Sequence, residues 1–510
     1  MALETTSSRE PLITLQAIGS YQTGRFDEAA QEISAYDPLT YRLYVTNADA
    51  NTLDIVSIRN PRFPSLLQSI DLSVYGGGPN SVAVSRGNVA VAVEADNKTD
   101  NGSVVFFNRF GEFRNQLTVG ALPDMLAFSP DGQWLVVANE GEPNDDYTID
   151  PEGSISVIDL SAGIAMLTDS DVRTADFHAF NDATLDSTVR IYGPNATVAQ
   201  DLEPEYIAVS ADSTKAWVSL QENNAMAVVD LVNATVTNVI GLGFKDHSSI
   251  SNALDASNRD DAINIRPWPV YGMYQPDTLA SYTAYDGRDY VISANEGDAR
   301  DYDGYSEEAR VKDLTLDPIV FPDAADLQQD ENLGRLKTTV ANGDIDGDGD
   351  VDEIMAYGAR SFSIWNDQGV LIYDSGADFE RMTASVLPND FNSTNDENGS
   401  FDNRSDDKGP EPEGVAIGEY RGRTFAFIGL ERVGGIMVYD VTNPVSPRFV
   451  EYVNTRDFTG DAEAGTAGDL GAEGLLFVPA WRSPIGYPLL VVTNEVSGST
   501  TIFKIRRRIL

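Results

Sequence analysis

Short apolar runs that end in turns recur along the chain in a nearly fixed order, and this recurrence limits the fold more than any other feature. Seven runs share one pattern: RLYVTNA, NVAVAVEA, WLVVANE, KAWVSLQE, DYVISANE, TFAFIGLE and LLVVTNE. Most follow a shorter run such as SVAVS or YIAVS and precede a third such as GSISVID or MAVVDL. A unit of three to four strands used about seven times is typical of β-propeller blades. The sequence therefore predicts an all-β chain with β-propeller architecture. Seven blades is the preferred count, and six or eight remain open.

Polar stretches interrupt these units and are interpreted as insertions into a single domain spanning 1–510. The main insertions are predicted at 306–361 and 377–410. The N-terminal run LITLQAIGSYQTG is expected to add an outer strand to the last blade, which would leave no open edge in the ring. Residues 391–414 have the composition of a disordered linker, although they lead into the blade-like PEPEG.

The charge of the chain limits its partners. Eighty acidic residues face 35 basic ones, a formal net charge of −45. Such a surface repels nucleic acid and attracts divalent cations, so no nucleic-acid partner is expected. With no cysteine and only two histidines, any metal must be held by oxygen, which favours calcium or magnesium. No window approaches eighteen apolar residues, so no transmembrane segment is predicted.

Acidic residues recur at two positions of the predicted blades. The first strands open with Asn80, Asp124, Glu205, Asp277, Glu413 and Glu473. The second strands end with Glu94, Glu140, Glu222, Glu296, Glu431 and Glu495. In a propeller the start of the first strand and the end of the second lie on one face, so these acids would crowd one rim of the central channel. For any one of them, a turn cap or a solubilising surface charge is an equal alternative.

Arginines accompany the acids and suit either oxyanion binding or ion pairing. They are Arg300, Arg310, Arg360, Arg404 and Arg432. For each arginine alone, an ion pair with neighbouring acids is the simpler interpretation.

The segment GDIDGDGDVDEI at 343–354 has the spacing of a calcium loop. Asp344, Asp346, Asp348 and Asp352 alternate around Gly349, which permits a sharp turn. The twelfth position of an EF-hand would be Met355, so the segment is not a regular EF-hand. A structural calcium site is predicted here.

Several long segments resemble the choice-of-anchor I family: NEGEPNDDYTIDPEGS, NEGDARDYDGYSEEARV, DGDGDVDEIMAYGARSFSIW, SDDKGPEPEGVA and GLERVGGIMVYDV. That family includes bacterial proteins called atypical alkaline phosphatases and mesenchyme-specific cell-surface glycoproteins of biomineralising animals. The resemblance implies a calcium-associated β-propeller that is extracellular, at the cell surface or periplasmic.

Two functional hypotheses follow. The first is metal-dependent phosphoester hydrolysis at the acidic rim. Glu140, Glu205, Asp277, Glu413, Glu473 and Glu495 would hold calcium, more than one ion, or another hard divalent cation or iron. Arg300, Arg432, Glu296 and Glu431 would serve catalysis, the arginines binding phosphate. The second is a non-catalytic calcium-binding module for adhesion, assembly or mineral contact. The expected partners are accordingly a phosphoester or a mineral or surface ligand, with homo-oligomers or surface assemblies open. A sugar- or lactone-cleaving propeller has no motif in its support.

Overall fold

Seven four-stranded antiparallel sheets organise residues 13–508, the part of the chain that this computed structural model describes. We number them sheet 1 to sheet 7 in chain order. Sheet 1 contains Ser34–Asp37, Arg42–Asn47, Thr52–Ser57 and Ser65–Asp71. Sheet 2 contains Gly78–Ser85, Asn88–Glu94, Asn101–Asn108 and Phe113–Ala121. Sheet 3 contains Pro123–Phe128, Trp134–Asn139, Ser154–Asp159 and Val172–Ala175. Sheets 4 and 5 contain Ile207–Val209, Lys215–Leu220, Ala225–Asp230 and Thr235–Gly241; then Leu279–Thr283, Asp289–Asn295, Ser361–Asn366 and Leu371–Asp374. Sheets 6 and 7 contain Pro412–Tyr420, Arg423–Leu430, Ile436–Asp440 and Arg448–Val453; then Ala472–Val478, Leu489–Asn494, Ser499–Arg507 and Ile13–Gln22.

The sheets form a closed ring, the arrangement of a β-propeller. The first strand of each sheet contacts the first strand of the next sheet, and that of sheet 7 returns to that of sheet 1. The strand Ile13–Gln22 pairs antiparallel with Ser499–Arg507 in sheet 7. This pairing of the first and last strands of the described residues covers an edge of Ser499–Arg507 that would otherwise be open.

The cores of the fold lie between adjacent sheets. Between sheets 3 and 4, for example, Val136 and Val157 pack with Val218 and Ala227, and all four are fully buried. Because each sheet is covered on both faces, its second strand reads as a continuous apolar run and not as an alternation. All six residues of Trp134–Asn139 are buried. Burial of one large apolar side chain contributes roughly 1.5–3 kcal/mol, so the inter-sheet cores stabilise the ring.

Residues 296–360 are inserted into sheet 5, between its second and third strands. They form short sheets with each other and with residues 244–273: Phe244–Asp246, Val270–Met273 and Ile354–Ala356; Asp301–Tyr302 and Tyr305–Ser306; Glu308–Arg310 and Lys337–Thr339. Leu254 and Trp268 pack there against Leu333 and Leu336 in a separate apolar core. The polar composition of these stretches therefore conceals a small packed unit beside the ring.

Helices are few and short. The α-helices are Val198–Asp201, Ala324–Leu327 and Asp378–Val386, and the 3-10 helices are Ile164–Met166, Asp169–Asp171, His178–Phe180, Ile250–Asn252 and Val311–Asp313. Among residues 13–508 no helix has the length and apolarity needed to cross a membrane.

Residues 391–414 are ordered, contrary to the linker composition of the segment. Asn392, Asn395 and Ser405 are almost fully buried there. Asn392 Nδ2 donates to Ser405 Oγ at 2.9 Å, and Asn395 Nδ2 donates to Glu431 Oε1 at 2.8 Å. Composition misleads here because polar residues remain buried when the fold satisfies their hydrogen bonds.

Candidate functional site

The channel mouth is the end of the central channel where the first strands of the seven sheets begin. Each of these seven strands has a polar or acidic residue within two residues of its first residue. These seven residues are Glu32, Asn80, Asp124, Glu205, Asp277, Glu413 and Glu473. Several of them line a cavity of about 190 Å³ at the axis, together with Tyr206. Six of the seven are acidic, so the predicted register of acids is present. Glu32 was not predicted. Its signal was an acid two residues before the first strand of a sheet, the same spacing as for Glu205 and Asp277.

Glu140, Glu205 and Glu222 form a largely buried acidic group at the channel mouth. Each offers a carboxylate oxygen, and the three oxygens lie within 4.8 Å of one another. Glu205 and Glu222 are 7% and 6% exposed. Their Oε2 atoms are buried and have no hydrogen-bond partner among the described residues. Buried oxygens without donors are costly, and a bound cation would satisfy them.

Burial and mutual repulsion both disfavour the charged forms of these carboxyl groups and raise their pKa values. Burial, followed by repulsion from Glu142, Asp124 and Glu222, raises the pKa of Glu140 well above its usual range. Burial and repulsion from Glu222 and Glu140 likewise raise the pKa of Glu205. Hard divalent cations are bound by clusters of carboxylate oxygens, so the group fits such a cation in chemistry and charge.

A second acidic group, at the adjacent sheets 5 and 6, centres on Glu296. One oxygen of Glu296 lies within 4.8 Å of Asp277 and Glu413, and Glu296 also groups with Glu411 and Glu431. Here the protein supplies its own cation, since Lys408 Nζ is 2.5 Å from Glu296 Oε1 and 3.3 Å from Glu411 Oε1. Burial and repulsion from Glu473 and Glu431 still raise the pKa of Glu413, whose Oε2 has no donor among the described residues.

Glu411 was not predicted, although it bears most of the cationic contacts at the mouth. Arg404 donates to it with Nε and Nη2, each at 3.0 Å, in the forked geometry that suits a carboxylate. Burial alone would raise the pKa of Glu411, but Lys408, Arg404 and Arg432 together hold it below the usual range. The motif KGPEPEG contains both Lys408 and Glu411, and that was the signal available in the sequence.

Glu473 and Glu495 complete the predicted set on sheet 7. Neither belongs to a three-carboxylate group among residues 13–508. Burial and then repulsion from Glu495 raise the pKa of Glu473. Burial also raises the pKa of Glu495, against the attraction of Arg432. The two residues therefore add further acidic side chains to the mouth at sheet 7.

Arg300 is buried in ion pairs and does not line the axial cavity. Its Nη1 pairs with Asp201, its Nη2 lies 2.9 Å from Glu203 Oε2, and its side chain is 1% exposed. The guanidinium also lies 4.5 Å from the ring centre of Tyr192. This placement favours the ion-pair role for Arg300 over contact with a phosphate.

Arg432 is the predicted arginine that stays partly accessible at the mouth. Its Nη1 is 3.0 Å from Glu431 Oε1, its Nε is 3.3 Å from Glu411 Oε1, and its side chain is 28% exposed. The other predicted arginines also form ion pairs: Arg404 with Glu411, Arg310 with Asp406, and Arg360 with Glu380.

The two NEG motifs leave their strands through glycines, as the sequence indicates. Gly141 and Gly297 have φ angles of 74° and 94°, which only glycine adopts without strain. A Cβ on Gly297 would clash with the backbone of Gly358, so the tight crossing beside Glu296 requires glycine.

The segment predicted to bind calcium contributes to two acidic groups. Asp344, Asp346 and Asp348 have oxygens within 4.8 Å of one another and are exposed. Asp344 accepts hydrogen bonds from the backbone N–H groups of Gly347 and Gly349, at 2.7 and 3.1 Å. The fourth predicted ligand, Asp352, instead groups with two residues that the sequence analysis missed, Asp317 and Asp350. Asp317 is far from the loop in sequence, so the spacing of residues within the loop could not predict its contribution to this group.

The sequence profile of the Choice-of-anchor I domain matches residues 32–444. Gigasin-3a of Magallana gigas is 33% identical over 191 residues, which are 35% of this chain and 67% of Gigasin-3a. Mesenchyme-specific cell surface glycoprotein of Strongylocentrotus purpuratus is 27% identical over 287 residues, which are 49% of this chain and 36% of that protein.

Solved structures with a similar arrangement are distant in sequence. A chain of Kuenenia stuttgartiensis hydrazine synthase has a TM-score of 0.49 at 12% identity and covers 95% of this chain and 99% of its own. Streptogramin B lyase has a TM-score of 0.46 at 8% identity, with coverage of 97% and 98%. The β-propeller domain of Cps50 (Swd1) has a TM-score of 0.44 at 8% identity, with coverage of 96% and 99%.

Proposed function

The chain belongs to the choice-of-anchor I family, and from this membership and the acidic channel mouth we propose that it is a surface-located β-propeller that binds divalent cations, foremost calcium. The observation that carries the proposal is the group of Glu140, Glu205 and Glu222. Two of its buried carboxylate oxygens lack any donor among the described residues. Three converging carboxylates cannot all be ionised there without a positive charge, and hard cations with oxygen ligands meet that need.

Calcium is favoured over magnesium by the nature of the ligands. Carboxylates on three separate chain segments form a flexible set, and calcium accepts variable ligand numbers. Magnesium demands near-octahedral geometry and retains several of its waters. In the proposed site the residues that would hold the ion are Glu140, Glu205 and Glu222.

A structural role is proposed for a second calcium at Asp344, Asp346 and Asp348. Backbone donors already orient Asp344 toward the loop centre, so ion binding would require little rearrangement. The proposed surface location rests on family membership and on the relative whose name describes a cell surface glycoprotein.

Calorimetric titration of chelator-treated protein with calcium, combined with metal analysis, tests the proposal. E205Q should weaken binding at the mouth and leave the Asp344 loop site unchanged. E112Q is the matched control, since the Glu112 side chain is 73% exposed and belongs to none of the three-carboxylate groups among residues 13–508. Equal affinity in wild-type protein, E205Q and E112Q would refute a site at the mouth.

Metal-dependent phosphoester hydrolysis is the second candidate function, and the position of Arg432 favours it. Its guanidinium is 28% exposed and lies beside Glu431, so a phosphate at the mouth could accept hydrogen bonds from it. When bound, a hard cation would polarise the phosphoryl group. Lys408 and Arg404 hold Glu411 in its charged form, which keeps Arg432 oriented toward the mouth.

Hydrolysis of p-nitrophenyl phosphate and bis-p-nitrophenyl phosphate at alkaline pH, with and without calcium, distinguishes the two candidates. If the protein is a hydrolase, R432Q should lower kcat/KM about tenfold or more, because a charged donor at the transition state is lost. Calcium binding without turnover would instead support the non-catalytic module.

A further inference from the structure

A pocket with an excess of positively charged side chains lies at the end of the propeller opposite the channel mouth. Its volume is about 510 Å³, and it is formed by turns of sheets 1, 2, 3 and 7. Three arginines line it against one aspartate: Arg86, Arg109 and Arg482 against Asp37. In a chain with 80 acidic and 35 basic residues, such a local excess of positive charge needs an explanation.

The aspartate in this pocket is already satisfied by its own turn. Asp37 Oδ2 accepts from the backbone N–H of Thr40 at 3.1 Å and from its hydroxyl at 2.6 Å. Its distance to Arg109 Nη1 is 3.9 Å, too long for a hydrogen bond. The arginine is therefore left with donors that Asp37 does not use.

Backbone contacts hold two of the arginines in place. Arg109 Nη2 donates to Arg86 O at 3.3 Å, and Arg86 Nη2 donates to Asp131 O. Gly87 makes room for this arrangement, because a Cβ there would clash with the guanidinium of Arg109. Fixed guanidinium groups lose little entropy when they bind an anion.

Arg86 also occupies a backbone conformation that disfavours arginine. Ser85 pairs with Asn88, so Arg86 and Gly87 form a two-residue hairpin turn with φ angles of 52° and 86°. Asparagine, aspartate or glycine is preferred at the first position of such a turn. A residue at a strained position is a candidate for a functional role, and here the side chain of Arg86 lines the pocket.

The third arginine stands on a neighbouring turn that is also fixed. Tyr36 OH donates to Arg482 O at 2.8 Å, which anchors the backbone. The guanidinium of Arg482 lies 4.4 Å from the ring centre of Trp481, whose side chain is 77% exposed. Stacking of this kind orients an arginine while leaving its hydrogen-bond donors free.

We propose that Arg86, Arg109 and Arg482 form an oxyanion-binding pocket at the end of the channel opposite the acidic mouth. Its ligand is a sulfate, phosphate or carboxylate group, which guanidinium donors recognise by forked hydrogen bonds. The site is independent of bound cations and of any activity at the mouth.

Titration of the full chain with inorganic sulfate, inorganic phosphate or acetate tests the pocket. The protein is kept in chelator at constant ionic strength, so that a failure of the cation site cannot affect the result. Calorimetry should show saturable binding of at least one anion. The preferred anion distinguishes tetrahedral from planar oxyanions as the natural ligand.

The chain offers a matched control in Arg421. It occupies the same kind of strained turn, with φ 56° before Gly422, but lies outside the pocket. R86Q, R109Q and R482Q should each weaken anion binding about tenfold or more, and R421Q, the match for R86Q, should leave it unchanged, because only the first three remove a charged donor from the ligand. If R109Q fails to fold, the exposed R482Q carries the test. Absence of saturable binding, or equal weakening in R421Q, would overturn the proposal.

Discussion

Replacement of Glu222 by glutamine should make the metal-free protein more stable and the cation site weaker. Two unit charges 4.8 Å apart repel by about 3 kcal/mol at an effective dielectric constant of about 20. The substitution removes two of the three pairwise repulsions among Glu140, Glu205 and Glu222. Protonation already relieves part of this repulsion, because burial raises the pKa of Glu222 above its usual range. We therefore expect a net gain of about 1–3 kcal/mol in the free energy of unfolding at pH 8.

The expected change in melting temperature follows from the size of the chain. An unfolding entropy of about 2 cal/mol/K per residue gives about 1 kcal/mol/K for 510 residues, so E222Q should raise the melting temperature by about 1–3 °C in chelator. Calcium affinity at the mouth should fall about tenfold or more, since even changes in the residues around metal ligands have effects of 10–100-fold.

Differential scanning calorimetry in chelator at pH 8 and calcium titration measure the two effects on the same samples. E112Q, which removes an equal charge at an exposed position, should leave both quantities nearly unchanged. A residue with only a structural role would lose stability on substitution. If E222Q lowers the melting temperature in chelator and retains wild-type calcium affinity, the reasoning about this group is refuted.

Three further predictions concern other parts of the molecule. The double variant D346N/D348N should bind one calcium fewer per chain in metal analysis. Its melting temperature should be lower than that of the wild-type protein in calcium but not in chelator. An equal decrease in both conditions would contradict a calcium loop. The metal-free protein should lose stability as pH rises from about 4 to about 8. Burial, and secondly repulsion, raises the pKa of Glu32 to about 8 and that of Asp124 to about 7. Over this pH range the folded state therefore holds protons that the unfolded state releases. Calcium should flatten this dependence, and melting curves across the range will detect it; a melting temperature that rises over the same range would contradict the sign. R300Q should destabilise the chain by about 3–5 kcal/mol, because it leaves Asp201 and Glu203 buried without their cation. An unchanged calorimetric transition would contradict this role.

Local patterns were sufficient to predict the β-propeller. The run WLVVAN predicts a strand buried on both faces, and all its residues are buried. The third strand of sheet 5 was missed because residues 296–360 separate it from its partner. Asn295 Nδ2 donates to the hydroxyls of Ser361 and Ser363 at 3.2 and 2.8 Å. Asn139 makes the same contacts with Ser154 and Ser156. The repeated spacing of an asparagine at the end of one strand and S-x-S at the start of the next was a signal that could have identified Ser361–Asn366.

The candidate site was predictable only as far as strand register determines it. Glu140, Glu205 and Glu222 meet because each stands at a fixed position in adjacent sheets, which a repeat pattern can reveal. Lys408 and Glu411 reach the mouth through a loop whose path depends on buried hydrogen bonds between distant residues, and no spacing in the sequence encodes that path. Arg300 was misleading for a related reason: its charge is evident in the sequence, whereas its burial against Asp201 depends on how two insertions pack.

Lys408 explains why the two acidic groups at the mouth should behave differently. An ammonium group and a divalent cation both neutralise clustered carboxylates, but only the ammonium group is covalently held. At Glu296 the protein therefore satisfies most of the negative charge itself, with Nζ 2.5 Å from Oε1. At Glu205 and Glu222 the buried Oε2 atoms have no donor among residues 13–508. Arg300, whose charge attracts Glu222, is already paired with Asp201 and Glu203. A cation from solution consequently gains more at Glu140, Glu205 and Glu222 than at Glu296, where it would first have to displace a lysine.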